Sequence, residues 1–332
     1  MNRRRTSKLK KSAPRFRSMP CFFITLKPLV LSCLSFLFVL QMKAQQEQMY
    51  SQYMFNMLHV NPAYAGNRAA DNITLLYRKQ WMNIPGSPQT ATLSWDRRQS
   101  ESNVGYGLEL YNDQLGVEKT TGVQAFYSYH IPLDNSFLAL GVCAGVLNYS
   151  ASFSEVDALK SGDAMFQSDV SGLKPTAGFG TLYATDRWYA GFSVPALFST
   201  KIKVENSGYV QTVGGDNHYF LVGGYLFTLS DAVKLKPSFL MKAVKGSSMQ
   251  EDFNLNTWIY DTMCFGVSYR TQDAVVVMFE LQLIDELRLG YAYDYTISSL
   301  NEYSKGTHEI MLRYEFNNVV QKGRRVLSPR YY

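Results

Sequence analysis

Ser128 and His130 are the two residues whose types and spacing come nearest to a catalytic pair. A serine hydroxyl beside an imidazole can act as nucleophile and base, and residues two apart on a strand share one face. Motifs that would support such chemistry are missing from the sequence, which has no GxSxG, no P-loop and no GxGxxG in a βαβ setting. Polar side chains on an inward-facing strand are the simpler interpretation, and we predict that the protein is not an enzyme.

Histidine and cysteine, the usual zinc ligands, do not cluster in this sequence. None of the histidines falls in HExxH, HxH or a Cys-His group, so we predict no metal site and no cofactor; they are His59, His130, His218 and His308. Cys143 and Cys264 lie in two separate predicted strands. A disulfide would require those strands to be neighbours, and two buried thiols are the favoured interpretation.

The first 44 residues have the organisation of a secretory signal peptide. A basic stretch without acids covers 1–27, an apolar stretch covers 29–40, and a polar run follows Ala44. The apolar stretch is shorter than the roughly 20 residues of a spanning helix. This signal holds ten of the 33 Lys and Arg residues and none of the 27 Asp and Glu residues, so the mature chain carries 23 − 27 = −4 charges. That balance argues against a nucleic-acid partner.

Short segments with period-two alternation fill the mature chain. Near the C-terminus, Ile310, Leu312 and Tyr314 alternate with Glu309 and Arg313, which indicates a strand with one apolar face. Fourteen such segments are predicted, at 72–82, 89–97, 103–113, 119–131, 136–150, 175–185, 187–195, 218–229, 233–244, 253–261, 263–270, 273–281, 286–296 and 307–316.

The length of these segments favours a transmembrane barrel over a soluble β-sandwich. A tilted membrane strand needs about 9–11 residues, whereas strands of soluble sheets are mostly about 5–6 residues long. The opposing face is rich in Gly, Ala and Ser, which suits a crowded lumen, and aromatic residues gather near segment ends, as interfacial girdles require. The predicted fold is therefore all-β, a transmembrane antiparallel β-barrel of about 14 strands.

The chain divides into four predicted parts. Residues 1–44 are the signal, 45–71 form a short N-terminal segment that is helical or plug-like, 72–316 form the barrel, and 317–332 form a basic tail. Helical spacing of apolar residues in 45–71 ends at Asn61-Pro62, where a helix would stop. Polar stretches at 151–174 and 196–217 are predicted to be long extracellular loops.

From Gln45 onwards the sequence resembles the PorP/SprF family of outer-membrane proteins, which accompany the type IX secretion and gliding apparatus of Bacteroidetes. The most specific part is its opening, and later matches cover essentially the whole mature chain in the family's order. The residues that carry the resemblance are Ser51-Gln52-Tyr53-Met54-Phe55-Asn56, Asn61-Pro62-Ala63-Tyr64-Ala65-Gly66, Tyr77-Arg78-Lys79-Gln80-Trp81, Gly86-Ser87-Pro88, Tyr111-Asn112-Asp113, Ala190-Gly191-Phe192-Ser193-Val194-Pro195, Leu235-Lys236-Pro237-Ser238, Gly290-Tyr291-Ala292-Tyr293-Asp294 and Gly306-Thr307-His308-Glu309-Ile310.

The resemblance implies a non-enzymatic component of the cell outer membrane that supports export or surface attachment of a secreted protein such as an adhesin. Its implied partners are type IX secretion components, the secreted surface protein and outer-membrane lipid. A channel for a small solute is the alternative. Motif positions that either contact partners or fix the entry of the barrel are Asn61, Pro62, Tyr64, Gly66, Arg78, Gln80 and Trp81. The tail 317–332 departs from the family pattern.

Overall fold

The computed structural model describes residues 49–68, 70–99, 102–155, 169–197, 202–206, 209–213, 217–245 and 247–316. The predicted signal peptide and the basic tail lie outside the described residues. Within the described part, no helix is long and apolar enough to span a membrane.

The described chain is almost entirely antiparallel β-structure. Its strands are β1 (Asp71–Lys79), β2 (Gln89–Gln99), β3 (Val104–Leu115), β4 (Glu118–Pro132), β5 (Ser136–Ala151), β6 (Val170–Thr185), β7 (Trp188–Val194), β8 (Ile202–Asn206), β9 (Tyr209–Val213), β10 (His218–Tyr225), β11 (Phe227–Thr228), β12 (Val233–Val244), β13 (Gln250–Ile259), β14 (Met263–Arg270), β15 (Ala274–Gln282), β16 (Leu287–Thr296) and β17 (Thr307–Phe316). Four short 3-10 turns accompany them, at Tyr53–Phe55, Pro62–Tyr64, Phe153–Glu155 and Ser299–Glu302.

Fourteen of these strands close into a barrel. Each pairs with its neighbour along the chain, β1 pairs with β17, and β10 pairs with both β7 and β12. The two-residue β11 continues β10 along the edge of β12 after a break at Leu226, while β8 and β9 form a separate hairpin. The predicted barrel and its strand number are confirmed. Closure leaves no unpaired edge in the ring, which a β-structure in lipid requires.

The strands expose an apolar face and turn their polar and charged side chains inward, where they share the interior with apolar residues such as Leu76. In β1, Leu75 and Tyr77 point outward and are 49% and 46% exposed, whereas Thr74 and Arg78 point inward and are 0% and 2% exposed. The same alternation recurs around the ring. An apolar outer belt is the surface expected of a barrel in a lipid bilayer.

A charge placed in this belt should be costly. Val277 points outward near the middle of β15 and is 58% exposed. We expect Val277→Arg to lower the free energy of unfolding in bilayers by about 2–4 kcal/mol, because an arginine at the bilayer midplane loses its hydration. Urea titration of the barrel reconstituted in vesicles measures this. The control, Gln272→Arg in the adjacent exposed turn, should change little, and equal losses for both would contradict the lipid-facing assignment.

The two ends of the barrel differ in their connections. At the end that we call the short-turn mouth, every connection has four residues or fewer; these are 100–103, 133–135, 186–187, 229–232, 260–262 and 283–286. The opposite end, the long-loop mouth, carries 80–88, 152–169, 195–217 and 297–306 together with three short turns. Short turns face the periplasm and long loops face the exterior in barrels of this kind.

Both predicted long loops connect strands at the long-loop mouth. In each of them, part of the predicted loop is β-strand instead. The first loop, predicted at 151–174, ends at Val170, where β6 begins beside the last residues of β5. Within the second, predicted at 196–217, β8 and β9 form their hairpin. The polar composition of these stretches concealed the start of β6 and the two strands of the hairpin.

Candidate functional site

Residues 49–68, which we call the plug, fill the interior of the barrel. All are buried except Met49, His59 and Arg68, which are partly buried. Apolar plug residues such as Tyr53 and Phe55 form one cluster with inward-facing residues of the wall, including Leu182 and Trp258. Phe55 and Trp258 meet edge to face with ring centroids 6.5 Å apart. Of the two predicted forms for this segment, the plug is the one found.

The plug contains two 3-10 turns in place of the helix that its spacing suggested. An α-helix has one apolar stripe to bury, whereas this segment is enclosed by barrel wall on all sides. Its backbone groups therefore bond to the wall as well as to each other. Tertiary contacts, which the local pattern does not contain, decided its conformation.

Backbone amides and a carboxylate hold the plug near the long-loop mouth. The amides of Ser51 and Gln52 each donate to the Glu309 carboxylate at 2.8 Å. Arg78 bonds the same carboxylate at 2.9 Å, Asp294 at 2.8 Å and the Ser51 hydroxyl at 2.8 Å. We call these five residues the upper anchor. All five are at most 2% exposed, so their charges interact through a medium of low dielectric constant.

The upper anchor belongs to a larger buried charge network. Arg270 lies 3.1 Å from Asp252 and 3.5 Å from Asp294, which extends the network across β13, β14 and β16. Lower in the lumen, Glu280 lies 3.0 Å from Arg313 and 3.2 Å from Arg288. Acids and bases thus alternate around this part of the wall, and each charge named here has an opposite charge within ion-pair distance.

The second of these clusters also holds the plug. Arg313 donates to the Phe55 carbonyl at 3.1 Å, and Arg68 donates to the same carbonyl. Arg68 and Arg313 in turn pair with Glu315, at 3.2 Å and 3.0 Å. The plug is therefore fixed at its middle by guanidinium groups from both the wall and its own C-terminal end.

The NPAYAG motif, residues 61–66, forms a second attachment that we call the lower anchor. The Asn61 side chain accepts the Ala63 amide at 2.9 Å and donates to the Thr181 carbonyl at 3.0 Å. Gly66 has a φ of +62° and donates its amide to Asp96 at 3.2 Å. The asparagine thus caps the Pro62–Tyr64 turn and ties it to the wall, and the glycine permits the turn into β1.

Glycines of the wall form the seat of the lower anchor. A Cβ atom on Gly141 would overlap the backbone of Pro62 and Ala63, and one on Gly180 would overlap the Asn61 side chain. The backbones therefore approach more closely than any side chain would permit. The small residues on this face of the predicted strands suggested a crowded lumen. The NPAYAG motif is the part of the chain that occupies the lumen beside these glycines.

Ser128 and His130 are brought together, but the plug covers them. The Ser128 hydroxyl lies 3.0 Å from His130 Nε2, and both groups contact the Ala65 carbonyl, at 2.6 Å and 3.0 Å. A carbonyl oxygen only accepts, so Ser128 donates to it and the Nε2 position of His130 carries a hydrogen. Both residues are fully buried. Their described contacts attach the lower anchor to β4.

The seven motif positions named from the sequence separate into two groups. Asn61, Pro62, Tyr64, Gly66 and Arg78 belong to the anchors or are buried beside them. The remaining two, Gln80 and Trp81, follow β1 at the long-loop mouth and are partly exposed. Partner contact by any of these residues remains a prediction.

Trp81 has an unusual backbone for a large residue, with a φ of +45°, and its amide donates to the Thr307 hydroxyl at 3.1 Å. Gln80 donates its amide to the Pro88 carbonyl at 2.9 Å. These bonds fix the start of the 80–88 loop against β17 and its own C-terminal end. The loop therefore leaves the wall in a defined direction.

Sequence reasoning missed Asp294, Glu309, Ser51 and Gln52 as parts of one site. The signal that could have identified the two acids is an ionisable residue at an inward position of a membrane strand, which implies a charged partner in the lumen. Neighbouring residues in the sequence do not reveal which partner it is, because Ser51 and Asp294 are 243 positions apart.

Cys143 and Cys264 lie on β5 and β14, which are not neighbours in the ring, and both are buried thiols, as favoured from the sequence. Within the described part of the chain, no group of three His, Cys, Asp or Glu residues is arranged to hold a metal ion.

Comparison with solved structures returns other outer-membrane barrels at low identity. Omp33 of Acinetobacter baumannii aligns with a TM-score of 0.45 and 6% identity, over 76% of this chain and 100% of its own. The toluene transporter TbuX of Ralstonia pickettii gives 0.47 and 10%, over 79% and 92%. A FadL homologue of Pseudomonas aeruginosa gives 0.43 and 13%, over 80% and 94%. Among curated proteins, none matches the chain.

A family profile described as type IX secretion system membrane protein PorP/SprF matches residues 42–314. The match includes the plug and nearly all of the barrel, that is, both anchors and the strands that form them. The closed ring of fourteen strands with an apolar belt agrees with a membrane protein of this kind. The protein belongs to the PorP/SprF family of type IX secretion system membrane proteins, and its location is the outer membrane.

Proposed function

We propose that this protein is a non-enzymatic component of the type IX secretion apparatus that supports export or surface attachment of a secreted protein such as an adhesin. The observation that carries the proposal is the filled lumen. Residues 49–68 are buried inside the barrel and bonded to its wall at both ends and in the middle. A barrel filled by its own chain offers surfaces for binding other proteins more readily than a route for solutes.

The charges of the lumen support the same proposal. A solute channel needs groups that a passing solute can reach. Here Arg78, Arg270 and Arg313 are each paired with carboxylates and are 2% exposed. Their charges serve to hold the plug and the wall together, which leaves the mouths and the outer wall as the surfaces for partners.

Two roles follow for the motif positions. Gln80 and Trp81, at the long-loop mouth, are placed where a surface protein could contact them. The buried positions of the NPAYAG motif would act through the plug that they hold in place. A non-enzymatic role is supported by the hydrogen bonds of Ser128 and His130 to the Ala65 carbonyl, because they place the plug over this pair.

A deletion strain provides the test. Mass spectrometry should compare the surface and medium proteins of the deletion strain, its parent and the complemented strain. We expect one large surface protein to disappear from the surface or to appear in the medium, because a dedicated outer-membrane partner has been removed. Loss of most type IX cargo would instead assign the protein to the core apparatus.

The result that would overturn the proposal is an unchanged protein profile in both fractions. Conductance of the purified barrel in planar bilayers should then be measured, because an open pore would make the small-solute channel the better explanation. Complementation with Trp81→Ala separates a direct contact at the mouth from a structural role, provided that the barrel reaches the membrane in normal amount.

A further inference from the structure

A groove of about 510 Å³ is present in the outer wall, across β1 to β6. Its apolar lining consists of outward-facing aliphatic side chains that are 41–70% exposed; they are Leu75, Leu93, Leu110, Val123, Val146 and Leu173. Ala91 has a shorter side chain than its neighbours on the two adjacent strands, and this leaves room for the groove. No residue of either anchor lines the groove.

Strand register arranges the outer wall here in layers. Leu75, Leu93, Leu110, Val123 and Val146 pair across neighbouring strands in one row. The next row towards the long-loop mouth runs from Tyr77 and Ala91 through three polar residues, Asn112, Thr121 and Asn148, to Leu173. The row beyond it contains Lys79, Gln89, Gln114, Lys119 and Ser150.

On β3, β4 and β5 the two upper rows form a polar border above the aliphatic row, and in the nearer row Ala91 and Leu173 flank it. The Thr121 hydroxyl lies 3.0 Å from the Asn112 amide oxygen, and the Gln89 amide lies 3.3 Å from that of Gln114. Lys119 is exposed on the same face. From the belt towards the exterior, these three strands therefore change from aliphatic to amide and hydroxyl groups and then, on β4, to an exposed ammonium group.

We propose that this groove binds a phosphorylated glycolipid of the outer leaflet, with an acyl chain against the aliphatic row and a phosphate at Lys119. The order of layers matches such a lipid from chain to headgroup. Six neutral amide and hydroxyl side chains border the groove, and they can bond several sugar hydroxyls; they are Asn112, Thr121, Asn148, Gln89, Gln114 and Ser150. Lysine is an established phosphate-binding side chain.

The position of the polar border indicates which leaflet the bound lipid belongs to. The polar rows lie towards the long-loop mouth, which faces the exterior, so the headgroup would lie at the outer surface. A glycerophospholipid of the inner leaflet would have its headgroup at the opposite end of the wall. This inference goes beyond the proposed secretion role and does not depend on it.

Native mass spectrometry of the full chain, purified from outer membranes in mild detergent, tests the proposal. We expect one phosphorylated glycolipid to remain bound to the wild-type protein. Ala91→Phe fills the groove and should remove most of it. Lys119→Glu should lower its occupancy about tenfold, because a charge-assisted hydrogen bond is replaced by repulsion.

Matched controls distinguish a site from general lipid adhesion. Val277→Phe adds the same ring to the outer wall away from the groove, and Lys305→Glu reverses an exposed charge at the same mouth outside the polar rows. Both controls should retain the glycolipid. No bound lipid, a glycerophospholipid, a lipid without phosphate, or equal loss in variants and controls would each overturn the proposal. Lys119→Glu alters only an exposed residue and keeps the test valid if Ala91→Phe does not fold.

Discussion

Replacing Arg78 with alanine is expected to lower the free energy of unfolding by about 3–5 kcal/mol, the range for removing one partner of a buried ion pair. Arg78 is 2% exposed and bonds Asp294, Glu309 and the Ser51 hydroxyl. Without the guanidinium, Glu309 loses its ion-pair partner and Asp294 keeps only Arg270, at 3.5 Å, and both carboxylates stay buried. Their cost is large because neither can recover its hydration without displacing the plug.

Urea titration of the reconstituted barrel measures this loss, and Arg97→Ala is the matched control. Arg97 pairs with Asp71 at 3.4 Å but is 56% exposed, so its removal should cost at most about 1 kcal/mol. Neutralising both acids in the Arg78→Ala background, with Asp294→Asn and Glu309→Gln, should recover part of the loss. Equal effects of Arg78→Ala and Arg97→Ala would show that the upper anchor contributes little.

Replacing Gly141 with valine should open the lumen at the short-turn side. The new Cβ would overlap the backbone of Pro62 and Ala63, and a backbone cannot rotate away as a flexible side chain can. The lower anchor must therefore leave its seat, which also breaks the bonds from Asn61 to Thr181 and from Ser128 to Ala65. We expect measurable conductance in planar bilayers, where the wild-type barrel should be closed.

Ala144→Val is the control for this prediction, because Ala144 lies on the same strand but points outward. Gly105→Ala is a second test, since its Cβ would overlap the Ala65 carbonyl. Limited proteolysis provides an independent measurement, because a displaced plug exposes its backbone. If Gly141→Val folds, remains closed and resists protease as well as Ala144→Val does, the seat is not required to hold the plug.

The two predictions probe different kinds of attachment. The upper anchor is held by charges, so ionic partners decide its strength. The lower anchor is held by hydrogen bonds and by close contact with wall glycines, so a side chain added at one of these glycines should displace it. The plug passes from the long-loop mouth, at Ser51, to the short-turn mouth, at Gly66. Each mouth is therefore closed by a different physical interaction.

The sequence by itself determined the class of fold and the number of barrel strands, whereas it left the N-terminal segment as either helical or plug-like. These features follow from period-two alternation, from segment length and from turn residues, all of which act over a few neighbouring positions. Outward residues such as Leu312 and inward residues such as Arg313 were assignable because lipid and lumen impose opposite chemistry on the two faces of a strand.

Only the tertiary structure decided which inward residues meet across the lumen and what conformation the plug adopts. The pairing of Ser51 with Asp294 and Glu309 depends on ring closure between β1 and β17, which brings distant parts of the chain together. The 3-10 turns replace a helix because the enclosing wall satisfies the backbone, and Gly141 faces Pro62 only once the barrel has closed. Contacts of this kind depend on the path of the whole chain, and no local pattern contains them.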